Sequence, residues 1–255
     1  MLIFDNVSLR YGEKKALDGV SFTLRPHRLT VLVGPNGSGK SSLLSCVNQQ
    51  LRYTGRILEG EKDLTLLPPR ERARLLAILP QTVPAPHITG RELVALGRSP
   101  YLDFTGRLTR GDREAVEQAL ADVRGETLAH RYGDSLSGGE LQRLLLGMIL
   151  AQNTPILLLD EPTAHMDPEY EAQLLSLLRD QTRRRKKTVL VILHDLNQAV
   201  EYADDLVVLK EGKICFAGSK EDCLDGQILE QTFSVRRYKA VEGDNRRCFF
   251  ASTGM

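Results

Sequence analysis

Leu29-Thr30-Val31-Leu32-Val33-Gly34-Pro35-Asn36-Gly37-Ser38-Gly39-Lys40-Ser41-Ser42 runs from a continuous apolar segment into a glycine-rich turn and on into a helical pattern. An apolar strand without alternation suits a sheet covered on both faces, as in an α/β protein. The turn Gly34–Ser41 fits G-x-x-x-x-G-K-[ST] in full. Gly34, Gly37 and Gly39 let the backbone around Pro35, Asn36 and Ser38 fold so that N–H groups wrap the β-phosphate of a nucleoside triphosphate. The N-terminus of the helix that follows adds a favourable field. Lys40 is expected to reach the β- and γ-phosphates, and the Ser41 hydroxyl to ligate Mg²⁺.

On the N-terminal side, Leu2–Arg10 alternates and ends at Tyr11-Gly12, a strand and a turn, and Val20–Leu24 is a second strand. On the C-terminal side a helix follows Lys40, then a short strand at Gly55–Leu58, a short helix at Pro68–Leu75 and a strand at Leu76–Leu79. The stretch from about 85 to 153 is mostly helical, with helices expected at Thr89–Gly97, Arg110–Val123 and Glu140–Gln152. The α/β pattern resumes with strand Ile156–Leu159, helix Glu169–Arg184, strand Thr188–Leu193, helix Leu196–Tyr202 and a hairpin around Glu211-Gly212. The last thirty or so residues are less patterned.

Two carboxylates close the apolar strand Ile156–Leu159. Asp160, at the strand end, can hold Mg²⁺ directly or through water, and Glu161 can orient and activate an attacking water. Gln81 also sits at a strand end, where its amide oxygen could ligate Mg²⁺ or hold the water. His194 follows another apolar strand, from which an imidazole could donate a hydrogen bond to a γ-phosphate. Tyr11 could lay its ring on a base. Leu136-Ser137-Gly138-Gly139-Glu140 lies 20 residues before Asp160. Its glycines and the Ser137 hydroxyl offer a second, partial phosphate cradle. One full and one partial cradle suit a machine in which two copies share each nucleotide.

Bulk properties exclude some classes. A net charge of +1 gives no long-range attraction to nucleic acid or anionic lipid. No apolar run approaches the ~18 residues of a membrane span. The N-terminus lacks the basic start and apolar stretch of a secretory signal, so the chain is expected in the cytosol. Cys46, Cys215, Cys223 and Cys248 have no metal-ligand spacing and are expected to be reduced thiols.

Together these residues resemble the nucleotide-binding subunit of ATP-binding-cassette transporters, over Leu2 to about Ser234. The resemblance implies an α/β fold: a P-loop NTPase (RecA-like) core over about 1–84 and 154–225, an inserted α-helical subdomain over about 85–153, an N-terminal antiparallel β region, and a short tail at 235–255. It identifies Tyr11 as the adenine-stacking aromatic and Gly34–Ser42 as the Walker A loop. Gln81 is the Q-loop glutamine, Ser137–Glu140 the signature, and Asp160 and Glu161 Walker B. Ala164–Asp167 is the D-loop, with Asp167 crossing between copies, and His194 is the switch histidine. ATP and Mg²⁺ are the implied ligands, closed between two copies in a head-to-tail dimer. Two departures stand out: Glu140 where the signature usually has glutamine, and Ala164-His165-Met166-Asp167 where Ser-Ala-Leu-Asp is commoner.

A narrower resemblance is to the ATPases of iron–siderophore, haem and cobalamin importers. It is carried by Arg91–Tyr101 and His194-Asp195-Leu196-Asn197-Gln198-Ala199, while Leu150-Ala151-Gln152 and Thr232-Phe233-Ser234-Val235 are similar to ferric-citrate and related siderophore systems. Iron–siderophore cargo is the expectation, with haem or cobalamin as alternatives. It implies a permease contact near Gln81–Tyr101, an extracytoplasmic binding protein acting indirectly, no nucleic acid, and a peripheral place on the cytoplasmic face of the membrane. A non-transport cassette acting on DNA or ribosomes is the alternative of another class. Against it stand about 55 residues between Gln81 and the signature, without a heptad run, and a single cassette in the chain.

Overall fold

The computed structural model describes residues 1–164, 166–242 and 245–252. The elements run β1 (Leu2–Tyr11), β2 (Lys14–Leu24), β3 (Leu29–Val33), α1 (Lys40–Val47), β4 (Thr54–Glu59), β5 (Lys62–Asp63), α2 (Pro69–Leu75) and β6 (Leu76–Leu79). Next come α3 (Gly90–Ala95), α4 (Arg110–Asp122), α5 (Gly138–Gln152), β7 (Ile156–Asp160), α6 (Pro168–Arg183), β8 (Thr188–Ile192) and α7 (Leu196–Tyr202). The chain continues with β9 (Asp205–Lys210), β10 (Lys213–Ser219), α8 (Lys220–Asp225), α9 (Ile228–Phe233), β11 (Val235–Glu242) and β12 (Asn245–Ser252). Two units emerge, Met1–Leu66 with Leu190–Met255, and Leu67–Val189.

In the first unit β1, β2, β4 and β5 form an antiparallel sheet in the order β2-β1-β4-β5. Its inner face buries Phe4 stacked on Phe22, ring centroids 4.4 Å apart. All five residues of β3 are buried, as its unbroken apolar run requires, and β3 pairs in parallel with β9 from Thr30↔Asp205 to Val33↔Val208. Strand β9 turns at Glu211-Gly212 into antiparallel β10. Asp205, at the start of β9 and only 4% exposed, is paired with Arg25 and Arg28.

In the second unit β6 and β7 pair in parallel, in register from Leu76↔Ile156 to Leu79↔Leu159. Helices α3, α4 and α5 each begin with a reciprocal capping box: Thr89 with Glu92, Thr109 with Asp112, and Ser137 with Glu140. The helix expected at Thr89–Gly97 stops at Ala95 and tightens into a 3₁₀ stretch at Leu96–Tyr101. Packing explains the change. A Cβ on Gly97 would lie 2.1 Å from the Met148 carbonyl oxygen, so the backbone of this stretch lies directly on α5.

Arg98 locks that contact. Its guanidinium donates to Asp112 Oδ1 at 2.9 Å and to the Ala151 carbonyl at 2.7 Å, and lies over the Tyr101 ring at 4.0 Å. Both ends of the ion pair are buried, with side chains 12% and 6% exposed. The Thr109 hydroxyl first, then the Thr109 N–H and Arg98, hold the Asp112 carboxyl below its ordinary range against the opposing effect of burial. The stability this carboxylate contributes is therefore present above about pH 4 and fades as pH falls through its lowered folded-state value. Arg98→Ala strands a buried carboxylate and is expected to cost about 3 kcal/mol, read by urea denaturation at pH 7. The deficit should shrink below about pH 4, as Asp112 takes up a proton.

Candidate functional site

In the first unit the phosphate loop closes on itself. Lys40 is 5% exposed, and its Nζ donates to the carbonyls of Gly34 and Pro35 at 2.8 and 3.1 Å. Ser38 N donates to Pro35 O at 3.1 Å, and Gly212 N donates to Ser38 O at 3.0 Å. Gly37 and Gly39 take positive φ, 76° and 106°, which glycine adopts without strain. The loop fits a phosphate chain on two counts. Ser38 Oγ is buried without a hydrogen-bond partner, and the Cβ position of Gly37 faces open space, with nothing within 4 Å. Tyr11, half exposed at the end of β1, places its hydroxyl 3.4 Å from Ser42 Oγ. That sets the aromatic beside the loop, as the adenine reading needs.

His194 is exposed just beyond β8. The next residue, Asp195, caps α7 by accepting from Asn197 N at 2.6 Å and Gln198 N at 3.1 Å. The Asn197 side chain reaches Phe250 in β12. The sequence treated 235–255 as an unassigned tail. The structure gives an antiparallel hairpin, with Val235↔Ser252 and Tyr238↔Phe249 paired.

In the second unit the register Leu79↔Leu159 carries Gln81 and Glu161 the same two residues past a paired position. Gln81 Nε2 donates to Glu161 Oε2 at 2.7 Å. Glu161 sits at φ 51°, uncommon for a side-chain-bearing residue, in the turn that follows β7. Asp160, the last residue of β7, is 4% exposed. The donation leaves the Gln81 amide oxygen as the metal-competent atom. Asp160 and the Gln81 amide oxygen are the hard oxygen donors of a kind that suits Mg²⁺ in this unit. Among the described residues no cluster of three His, Cys, Asp or Glu could hold a metal.

The Ser137–Glu140 segment opens α5. Ser137 Oγ accepts from Glu140 N at 3.3 Å, and Ser137 N donates to Glu140 Oε2 at 2.8 Å. The same hydroxyl can turn its own proton toward the Glu140 carboxylate. Glu140 Oε1 takes Arg131 Nη1 at 2.6 Å, while Arg131 Nη2 reaches Ser135 O. The Ser137 N–H bond, followed by the Ser137 hydroxyl and Arg131, holds the Glu140 carboxyl below its ordinary value, against burial. The S-x-x-E spacing of Ser137 and Glu140 was a legible sign of the capping box; Arg131 was not read as part of the segment. Asp167 caps α6, its Oδ1 accepting from Glu169 N and Tyr170 N, each at 3.1 Å. The D-loop reading includes His165, which lies outside the described residues.

The family model for ABC transporters matches residues 17–164. The chain belongs to that family. It is 36% identical to the ferric enterobactin transport ATP-binding protein FepC of Escherichia coli (strain K12), covering 91% of this chain and 86% of that one. It superposes with a TM-score of 0.84, at 25% identity, on a chain of an ABC transporter described as metal-chelate type in an inward-facing conformation, covering 98% and 96%. A dimeric ATP-binding cassette in a post-hydrolysis state, with ADP and phosphate bound, matches with a TM-score of 0.77 at 26% identity, covering 86% and 99%. The fold expected from the sequence, a P-loop NTPase core with an inserted helical subdomain and an antiparallel β region, is the fold of this ABC chain.

Glutamine can make the same capping box as Glu140. Glu140→Gln therefore loses only the partly exposed pair with Arg131 and is expected to cost under about 1 kcal/mol. Glu140→Ala loses the box as well, which adds about 1 kcal/mol. Thermal melts of the two variants against the parent check the order.

Proposed function

We propose that this chain is the ATP-hydrolysing subunit of an ABC importer, with an iron–siderophore complex as cargo. The observation that carries the catalytic reading is the Gln81–Glu161 hydrogen bond. It holds a carboxylate one residue beyond the buried Asp160, on a chain that also carries a complete phosphate loop. The cargo reading is supported by FepC, a ferric enterobactin transport ATP-binding protein, and by the metal-chelate type of the structural relative.

Gly34–Ser42 binds the phosphates of ATP, with Lys40 on the β- and γ-phosphates and Tyr11 against the adenine. Mg²⁺, when bound, offsets phosphate charge and aligns the γ-phosphate; Ser41, Asp160 and the Gln81 amide oxygen would hold it. Glu161 accepts a proton from the attacking water, and Gln81 fixes the orientation of that carboxylate. His194 donates a hydrogen bond to the γ-phosphate. Ser137, Gly138, Gly139 and Glu140, with Asp167, act on the nucleotide of a second copy in a head-to-tail dimer, a reading supported by the dimeric cassette relative. Residues 1–234 form one cassette, with the helical subdomain at about 85–153. The chain sits at the cytoplasmic face of the membrane through a permease that contacts Gln81–Tyr101, and the extracytoplasmic binding protein meets it only through that permease.

Glu161→Gln is expected to keep ATP affinity, to lower turnover roughly 10²–10⁴-fold and to accumulate as a dimer in ATP and Mg²⁺. Near-parental turnover would remove Glu161 from the base role. The same tagged variant, recovered from detergent-solubilised source membranes in ATP, should bring down a multi-span permease. Recovery of ribosomes or nucleic acid instead would replace the transport reading.

A further inference from the structure

The hairpin of β11 and β12 is tied to the cassette at both strands. On β11, Arg237 donates to the Leu224 carbonyl at the end of α8 and pairs with Glu230 of α9 at 3.0 Å. These side chains are largely buried, 16% and 20% exposed. On β12, the Phe250 N–H donates to Asn197 Oδ1 at 2.7 Å, and Asn197 Nδ2 returns to the Phe250 carbonyl at 3.4 Å. Burial alone does not seat the hairpin, because the cross-strand pair Tyr238 and Phe249 is 53% and 43% exposed. Phe250, 8% exposed, is its one buried large apolar side chain among those described. An isolated two-stranded hairpin is marginal in water, so these polar ties hold it in place.

Asn197 is tied on two sides. Its backbone N–H donates to Asp195, the residue next to His194, and its side chain clasps the backbone of β12. We propose that the C-terminal hairpin is a positioning element for His194, acting through Asn197. The proposal rests on the γ-phosphate role given to His194 above. His194 lies in the turn between β8 and α7, so the backbone of that turn decides where its imidazole starts from. That turn is fixed by the Asp195 cap, and the cap is braced from outside by the Asn197–Phe250 clasp. Asn197 touches no substrate in this scheme; it orients the group that does. The assignment gives one role to two features that phosphate binding leaves unused, the asparagine of His194–Ala199 and the hairpin of the C-terminal tail.

The test is a double-mutant cycle on the full chain, measuring kcat and KM for ATP in the parent, Asn197→Ala, His194→Ala and the double variant. Asn197→Ala should lower kcat about 10-fold with KM within about twofold, the size of effect expected when a reacting group is misplaced. In the His194→Ala background it should have no further effect, because both changes remove one function. A merely structural role for Asn197 would lower the melting temperature and give losses that multiply in the double variant; that result, or a parental kcat, overturns the proposal. Arg237→Gln loosens the hairpin from its far side and stands in if Asn197→Ala does not fold. It should cost a few-fold in kcat, again only when His194 is present, and a parental kcat overturns the proposal. If His194→Ala turns over like the parent, the His194 role itself fails. If only His194→Ala is impaired, that role stands and the hairpin proposal alone is lost.

Discussion

Where the phosphate loop meets its neighbours there is no room for a side chain. A Cβ on Gly34 would lie 2.2 Å from the Leu209 carbonyl oxygen, and one on Gly39 would lie 2.6 Å from that of Ala16. The turn between β9 and β10 presses in from the same side: a Cβ on Gly212 would fall 2.7 Å from Ala16 O, and Gly212 N donates to Ser38 O. The loop is thus held closely between β2 and the β9–β10 turn. Its shape comes from the fold, so its N–H donors stand ready for an anion and need little reorganisation when charge arrives. The Lys40 ammonium, held by Gly34 O and Pro35 O, is part of the same rigid ring.

A second economy recurs at the helix starts. Ser137, Asp167 and Asp195 each lie at or beside a position given a role toward nucleotide, and each is the N-cap of the helix it opens. Capping satisfies N–H groups that would otherwise lack partners, and fixes the backbone of the residues around it. A side chain that must present one atom to a ligand is thereby oriented by its other bonds. Ser137 illustrates this best. Its oxygen accepts from Glu140 N, which fixes where the hydroxyl sits at the start of α5. The same box accounts for Glu140, since glutamate closes it as well as glutamine does and gains Arg131 besides.

Where chemistry demanded residue types at fixed spacing, the sequence was legible. The phosphate loop, the acidic strand end and the Ser137–Glu140 segment sit where the pattern placed them, as do the strands that carry them. The expectations fell short where backbone pairing or polar ties replace an apolar pattern. Strand β2 begins at Lys14, well before the expected Val20, because its first half is a largely exposed ribbon held by pairing to Tyr11 and Arg10. The Leu96–Tyr101 stretch stays helical past Gly97 because it lies against α5, a contact no local pattern announces. The C-terminal hairpin gave no signal because β11 mixes Arg236, Arg237 and Tyr238 without alternation. It is held by polar ties to Asn197, Glu230 and Leu224 O, which no apolar pattern announces.

The far end of α5 shows why the Ser137–Glu140 segment is carried on a long helix rather than a loop. Fifteen residues place Ser137 about 22 Å from the C-terminal turn. There, two side chains from other parts of the second unit and one of the helix's own tie its end. Arg98 takes Ala151 O, Lys187 Nζ takes Asn153 Oδ1 and Thr154 O, and Gln152 Nε2 reaches back to Ala73 O and Leu76 O. Burial lowers the Lys187 ammonium to about 8, so the fold carries this cation at a cost and must hold it by those two acceptors. Leu76 opens the strand that leads to Gln81, and Arg98 belongs to the segment assigned to the permease. Under the proposed function the segment that meets the permease is thus tied directly to the C-terminal end of the helix that opens at Ser137.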